Sequence, residues 1–149
     1  MDEKYMNIAL KEAKKSLLQD EVPIGAVIVK DDTIVAKAHN TRNKSQNAIN
    51  HAEILAISKA CKRLKSWRLE NCDIYVTLEP CPMCTGAILN ARIKNLYFGA
   101  FDKTSKTNLL NQIMQDDRLN HKTLFQGGIL EQPCSELLTN FFKGKRKQP

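Results

Sequence analysis

The chain has 149 residues, 42% of them hydrophobic and 26% charged, with a formal net charge of +7. That length supports a single domain over residues 1–149 with a core that needs no disulfides, and the excess of Lys and Arg favours an anionic partner, nucleic acid first. No apolar run approaches the roughly 18 residues of a membrane-spanning helix, and the charged start Met1-Asp2-Glu3-Lys4 does not resemble a signal peptide, so a cytoplasmic protein is expected.

Residues 3 to 19 place Met6, Ala9, Leu10, Ala13 and Leu17 at helical spacing, with Asp2 positioned as a cap. Residues 24–29 are a nearly unbroken apolar run, as in a strand buried on both faces. A turn at Lys30-Asp31-Asp32 and a second strand, Thr33 to His39, complete a hairpin. Residues 40–50 are polar, with Asn40, Asn43, Asn47 and Asn50, and read as a loop. A helix is expected from Asn50 to about Leu64, its apolar side formed by Ile54, Leu55, Ile57, Ala60, Cys61 and Leu64. Lys59, Lys62, Arg63 and Lys65 lie towards its C-terminal end, where they suit the helix dipole.

Ile74 to Leu78 is a further strand. Pro80 disfavours helix at Glu79, whereas Pro82 suits a first helical turn, so Cys81 falls at a helix start and Cys84 one turn in. That helix runs to about Arg92. Then come a short strand (Asn95 to Phe98), a short helix (Leu109 to Met114), a last strand (Thr123 to Phe125), a turn at Gly127-Gly128 and an amphipathic helix over Ser135 to Lys145. Strands alternating with helices define an α/β sandwich.

The chemistry concentrates in His51-Ala52-Glu53 and Pro80-Cys81-Pro82-Met83-Cys84. Only Cys81 and Cys84 of the five cysteines are closely spaced, and in a reducing compartment such a pair is a metal or redox candidate before it is a disulfide. Zinc takes His and Cys ligands, and a catalytic zinc keeps one position for water, so His51, Cys81 and Cys84 are the candidate ligands and Glu53 the candidate proton carrier. Ligand type favours zinc, with iron second. Taken separately, these residues have other readings. Glu53 could reach back to a helix cap at Asn50, and a C-x-x-C pair could be redox-active or part of a four-ligand structural site. Cys61, Cys72 and Cys134 read as packed thiols, and His39 and His121 as surface or hydrogen-bonded residues. Trp67 reads as packing, with base stacking as its alternative. The basic end Lys143, Lys145, Arg146 and Lys147 reads either as solvated or as a phosphate contact.

H-x-E followed by P-C-x-x-C is the signature of the zinc deaminases. The chain resembles the bacterial tRNA-specific adenosine deaminases well beyond that signature. The likeness includes Glu21-Val22-Pro23-Ile24-Gly25-Ala26-Val27, His39-Asn40, Leu78-Glu79-Pro80, Ala91-Arg92-Ile93, Phe98-Gly99-Ala100 with Asp102, and Gly128-Ile129-Leu130 through Phe141-Phe142. The resemblance implies a cytidine deaminase-like three-layer α/β/α sandwich with a central mixed five-stranded sheet, a homodimer, and one Zn2+ per subunit held by His51, Cys81 and Cys84. It implies Glu53 as proton shuttle, Asn40 as a contact to the bound nucleoside, and hydrolysis of the wobble adenosine of a tRNA anticodon to inosine. Two stretches depart from the family pattern, Ala48-Ile49-Asn50 and Lys103 to Leu109, and both lie where an anticodon loop would approach. The alternatives are a deaminase of a free nucleobase or nucleoside, of guanine or cytosine type, and a non-catalytic zinc-containing RNA-binding subunit.

Overall fold

The computed structural model describes residues 1–103 and 109–146. Helix α1 (Glu3–Leu17) begins where the Asp2 carboxylate accepts from the Lys4 N–H at 3.0 Å, the expected cap. Its buried stripe includes Met6, Ala9, Leu10 and Ala13. Alanines at 9 and 13 let the helix lie close on strand β1 (Gly25–Lys30). Gly25 completes that approach. A Cβ there would lie 2.0 Å from the Ala9 carbonyl oxygen, so any side chain would force the helix off the sheet.

Strand β2 (Thr33–His39) returns antiparallel to β1. Asp31 and Asp32 between them both have left-handed backbone, φ 50° and 57°, the twist a two-residue hairpin needs. Strand β3 (Cys72–Leu78) pairs antiparallel with the other edge of β1. β4 (Asn95–Ala100) and β5 (Leu124–Gln126) then add in parallel, giving the order β2-β1-β3-β4-β5. Each parallel step is bridged by a helix, α4 (Pro82–Asn90) and then α5 (Leu109–Met114).

Alternation along the strands divides the core in two. Ala26, Ile28, Ile74, Val76, Leu96 and Phe98 face α3 (Ala52–Leu64), α4 and α5. Val27, Val29, Tyr75 and Ala100 face α1 and α6 (Glu131–Arg146). This is the expected three-layer α/β/α sandwich around a mixed five-stranded sheet. No helix among the described residues is long and apolar enough to cross a membrane.

Several local expectations need correction. The 40–50 loop contains a one-turn helix, α2 (Arg42–Ser45). Asn50 lies outside α3, which starts at Ala52 with His51 as its N-cap residue. α6 starts at Glu131 rather than Ser135, with Pro133 in its first turn, where a missing N–H is harmless. Trp67 does not pack into the core; it is 59% exposed. α3 ends at Lys65 in left-handed conformation, and the following turn buries Leu69 while carrying Trp67 outward. Its ring lies 4.9 Å from the Arg68 guanidinium and 5.7 Å from that of Arg92.

Candidate metal centre

Two helix starts meet just past the C-terminal end of β3. There the chain turns through Glu79 and Pro80, with the Glu79 N–H bonded to the Ala100 carbonyl (2.8 Å) and its Oε1 accepting from the Asp102 N–H (3.1 Å). These bonds fix the turn to the end of β4. Cys81 is the N-cap residue of α4 and Pro82 its first helical residue, as the spacing of prolines predicts. Thr85 donates its hydroxyl back to the Cys81 carbonyl at 2.8 Å, closing the first turn.

α3 begins differently. Its N-cap residue, His51, makes no side-chain cap bond. The Ala52 N–H instead donates to Asn40 Oδ1 at 2.8 Å, a buried bond from the end of β2. Asn50, the cap expected from sequence, bonds Ser45 Oγ at 2.7 Å. The reading of Glu53 as partner of an Asn50 cap is therefore overturned, and Glu53 is a buried residue of the first turn.

His51 Nδ1 lies 3.8 Å from Cys81 Sγ and 3.6 Å from Cys84 Sγ. All three donor atoms fall within 4.8 Å of one another. A tetrahedral zinc, with Zn–S of about 2.3 Å and Zn–N of about 2.0–2.1 Å, sets N···S at about 3.6 Å, so the donor set fits that ion. Among the described residues this is the one such cluster. Three protein donors leave a fourth position for water, the arrangement of a catalytic rather than a structural zinc.

The electrostatics suit a cation. A hydrogen bond from Cys84, together with the backbone N–H groups of Cys84 and Met83, brings the Cys81 thiol down to about 5 despite its partial burial. The same shared proton, and burial, push the Cys84 thiol up. The two sulfurs thus share a proton that a divalent metal, held by them, would displace. Glu53, 4% exposed, is no part of the donor triangle. Burial pushes its carboxyl up to about 7, against a lowering hydrogen bond from its own N–H. That is where a group exchanging protons at neutral pH is most useful.

The other candidates are accounted for individually. His39 Nδ1 pairs with Glu12 Oε2 (3.2 Å), and His121 Nε2 with the Ile93 carbonyl (2.9 Å). Cys72 and Cys134 are buried thiols, while Cys61 is half-buried with its Sγ 3.9 Å from the Trp67 carbonyl. In the basic end, Lys145 pairs with Asp20, Lys143 is exposed, and Lys147 lies outside the described residues. Residues 104–108 of the divergent loop also lie outside them. Sequence reasoning missed three buried polar groups that brace the His51 side of the site: Glu12, Ser16 and Glu21. The Glu21 carboxylate accepts from the Lys44 N–H at 2.8 Å and anchors α2. Glu12 and Ser16 had a signal, since both fall within the apolar stripe of α1.

Comparison with known proteins gives concordant results. Residues 1–100 match the cytidine and deoxycytidylate deaminase zinc-binding region. The chain is 49% identical to a tRNA-specific adenosine deaminase of Bacillus subtilis (strain 168), over 99% of this chain and 92% of that protein. A solved structure from a study of A-to-I editing by tRNA:A34 deaminases at the wobble position superposes with a TM-score of 0.85 at 38% identity, covering 91% of this chain and 99% of that one. The guanine deaminase of Bacillus subtilis is more distant, with a TM-score of 0.67 and 30% identity over 99% and 96% of the two chains.

Proposed function

The chain belongs to the tRNA-specific adenosine deaminases of the cytidine and deoxycytidylate deaminase zinc-binding family, and from that premise we propose that it hydrolyses the wobble adenosine of a tRNA anticodon to inosine and ammonia. The observation that carries the substrate choice is the 49% identity along almost the whole chain to a tRNA-specific enzyme, against 30% to a guanine deaminase.

In this reading His51, Cys81 and Cys84 hold the metal. When bound, zinc supplies the Lewis acidity that makes water a nucleophile at neutral pH. The residues of the chain do the rest. Glu53 takes one proton from the attacking water and delivers it to the ring nitrogen of the adenine. It then takes the remaining proton from the new C6 hydroxyl and passes it to the amino group, so that the C6–N bond breaks, the carbonyl of inosine forms and ammonia departs. Its burial supports this role, because an exposed carboxyl with an ordinary pKa would be a poor proton donor at neutral pH. Asn40 spends Oδ1 on the Ala52 N–H, which leaves Nδ2 to donate to an acceptor on the bound nucleoside.

Beside the site, off the ends of β3 and β4, runs a groove of about 310 Å3. Leu78, Phe101, Leu138 and Phe142 line it, with Lys103 and Lys143 also along it. Exposed aromatic faces beside cations suit unstacked bases and their phosphates. The same reading makes the protein cytoplasmic and a homodimer of single-domain subunits. Light scattering should then give about twice the 16.9 kDa of one chain.

A second reading, deamination of free guanine, draws on the guanine deaminase likeness. The deciding experiment incubates the purified protein with tRNA carrying adenosine at the wobble position and, separately, with free nucleobases and nucleosides, measuring inosine and ammonia. Inosine in the tRNA is expected. Turnover of only the free compounds rejects the tRNA assignment. No turnover of either leaves a zinc-containing RNA-binding subunit, a role for which a buried Glu53 beside Cys84 has no use.

A further inference from the structure

The side of α1 that packs on the sheet is apolar except at two places, Glu12 and Ser16, which are 5% and 0% exposed. One helical turn apart, they project from the same face. Both reach the end of β2. Glu12 Oε2 meets His39 Nδ1 at 3.2 Å while Oε1 accepts from Lys15 Nζ at 3.1 Å. Ser16 Oγ donates to the main-chain carbonyl of Asn40 at 3.0 Å, a buried bond. One helix face thus grips two consecutive residues, His39 by its side chain and Asn40 by its backbone.

Two further groups of Asn40 are also committed. Its N–H donates to the Ile24 carbonyl at 3.1 Å and its Oδ1 accepts from the Ala52 N–H at 2.8 Å. Because a backbone N–H can be met only by the amide oxygen, the orientation of the Asn40 amide is fixed. Nδ2 is left as a donor with no partner among the described residues. A carboxylate is a poor choice for holding a helix on a sheet, since burying it carries a penalty that an apolar side chain of similar volume avoids. Burial pushes the Glu12 carboxyl up, but the hydrogen bonds from Lys15 and His39 outweigh it and keep the group ionised.

We propose that Glu12 and Ser16 are positioning residues: through His39 and the Asn40 carbonyl they lock the corner after β2, so that Asn40 presents Nδ2 to the nucleoside while its Oδ1 holds the start of the helix bearing His51 and Glu53. The lock rests on geometry; the task of Nδ2 rests on the deaminase reading. Lost corner contacts would let the Asn40 amide rotate or withdraw, and substrate would bind in more than one pose.

Two measurements on the full-length zinc-loaded protein test this. In a 1H–15N spectrum, the side-chain amide pair of Asn40 is assigned by its loss in N40D, which keeps an acceptor for the Ala52 N–H. E12L and S16A should each shift or broaden that pair with zinc content unchanged. A pair unmoved in both variants overturns the lock, whatever the substrate is. The second measurement is single-turnover deamination of an anticodon stem-loop. E12L should lower kcat/KM about fivefold in the wild-type background and by less than about twofold in N40D, because residues acting through one group are not additive. An E12L rate equal to wild type, or an equal loss in both backgrounds, overturns the proposal, and S16A serves in the same cycle if E12L does not fold. Wild-type protein inert on the stem-loop, with the amide pair moved as expected, defeats the tRNA reading and leaves the lock standing.

Discussion

The two helices that carry the metal-binding side chains begin by opposite means. The start of α4 is local: Pro80, Cys81, Pro82 and the back-bonding Thr85 all lie within six residues. The start of α3 is assembled from a distance, with its first N–H satisfied by Asn40, and Asn40 itself held by Ser16 of α1. One half of the site is therefore a self-contained turn. The other is a junction of three elements, where the candidate metal ligand His51, the carboxyl of Glu53 and the Asn40 amide share one support. Damage to the α4 turn should act on the metal, whereas damage to the α3 junction should act on metal, proton transfer and substrate together.

The largest effect is expected at the α4 turn. C81A should lose zinc by elemental analysis and lose deamination by about a thousandfold or more, and a chelator should do the same reversibly. E53A should separate the functions at the α3 start: zinc retained, inosine formation down by about 10²–10⁴. Activity near wild type would remove Glu53 from the mechanism. Zinc affinity should depend on pH with a definite sign. Around neutral pH the two thiols hold one proton, which zinc must expel, so affinity should rise about tenfold per pH unit. Below about 5, where Cys81 takes up its own proton, the dependence should steepen. Calorimetry in buffers of different ionisation enthalpy counts these protons.

The comparison between helix starts is sharpest in the last pair of variants. N40A should cost about 0.5–2 kcal/mol of stability through the lost cap, and N40D clearly less, while both weaken substrate turnover. P82A should cost only about 0.4–1 kcal/mol, acting mainly through the unfolded chain, with zinc content unchanged. A P82A penalty exceeding that of N40A in thermal denaturation would mean that the α4 turn, not the α3 junction, is the more heavily braced.

The same contrast explains what could be read from sequence. The α4 start was legible because prolines punctuate it within a few residues, and the strands were legible because their apolar runs are short and flanked by turns. The α3 start was misplaced at Asn50 because its true cap, Asn40, lies twelve residues before the N–H it serves, and local capping rules see only neighbours. Trp67 reads from its residue type as packing before base stacking, yet the left-handed exit at Lys65 turns it outward. The donor triangle was recoverable from residue type and spacing. The bracing by Glu12 and Ser16 was not read, although polar residues inside the apolar stripe of α1 were its visible trace. Sheet order needs long-range pairing that periodicity does not carry; the family resemblance implies a mixed five-stranded sheet, and the order β2-β1-β3-β4-β5 is seen only in the structure.

The exposed turn at Trp67 has a practical consequence. It carries the only tryptophan of the chain, so intrinsic fluorescence reports from one address. That address precedes β3, whereas Cys81 follows it, which puts the indole roughly 20 Å from the metal ligands at about 3.3 Å per strand residue. Native emission should already be that of a water-exposed indole beside two guanidinium groups, and unfolding should change its colour little. Quenching on addition of a tRNA would then mean that the nucleic acid reaches well past the catalytic end, towards Arg68 and Arg92.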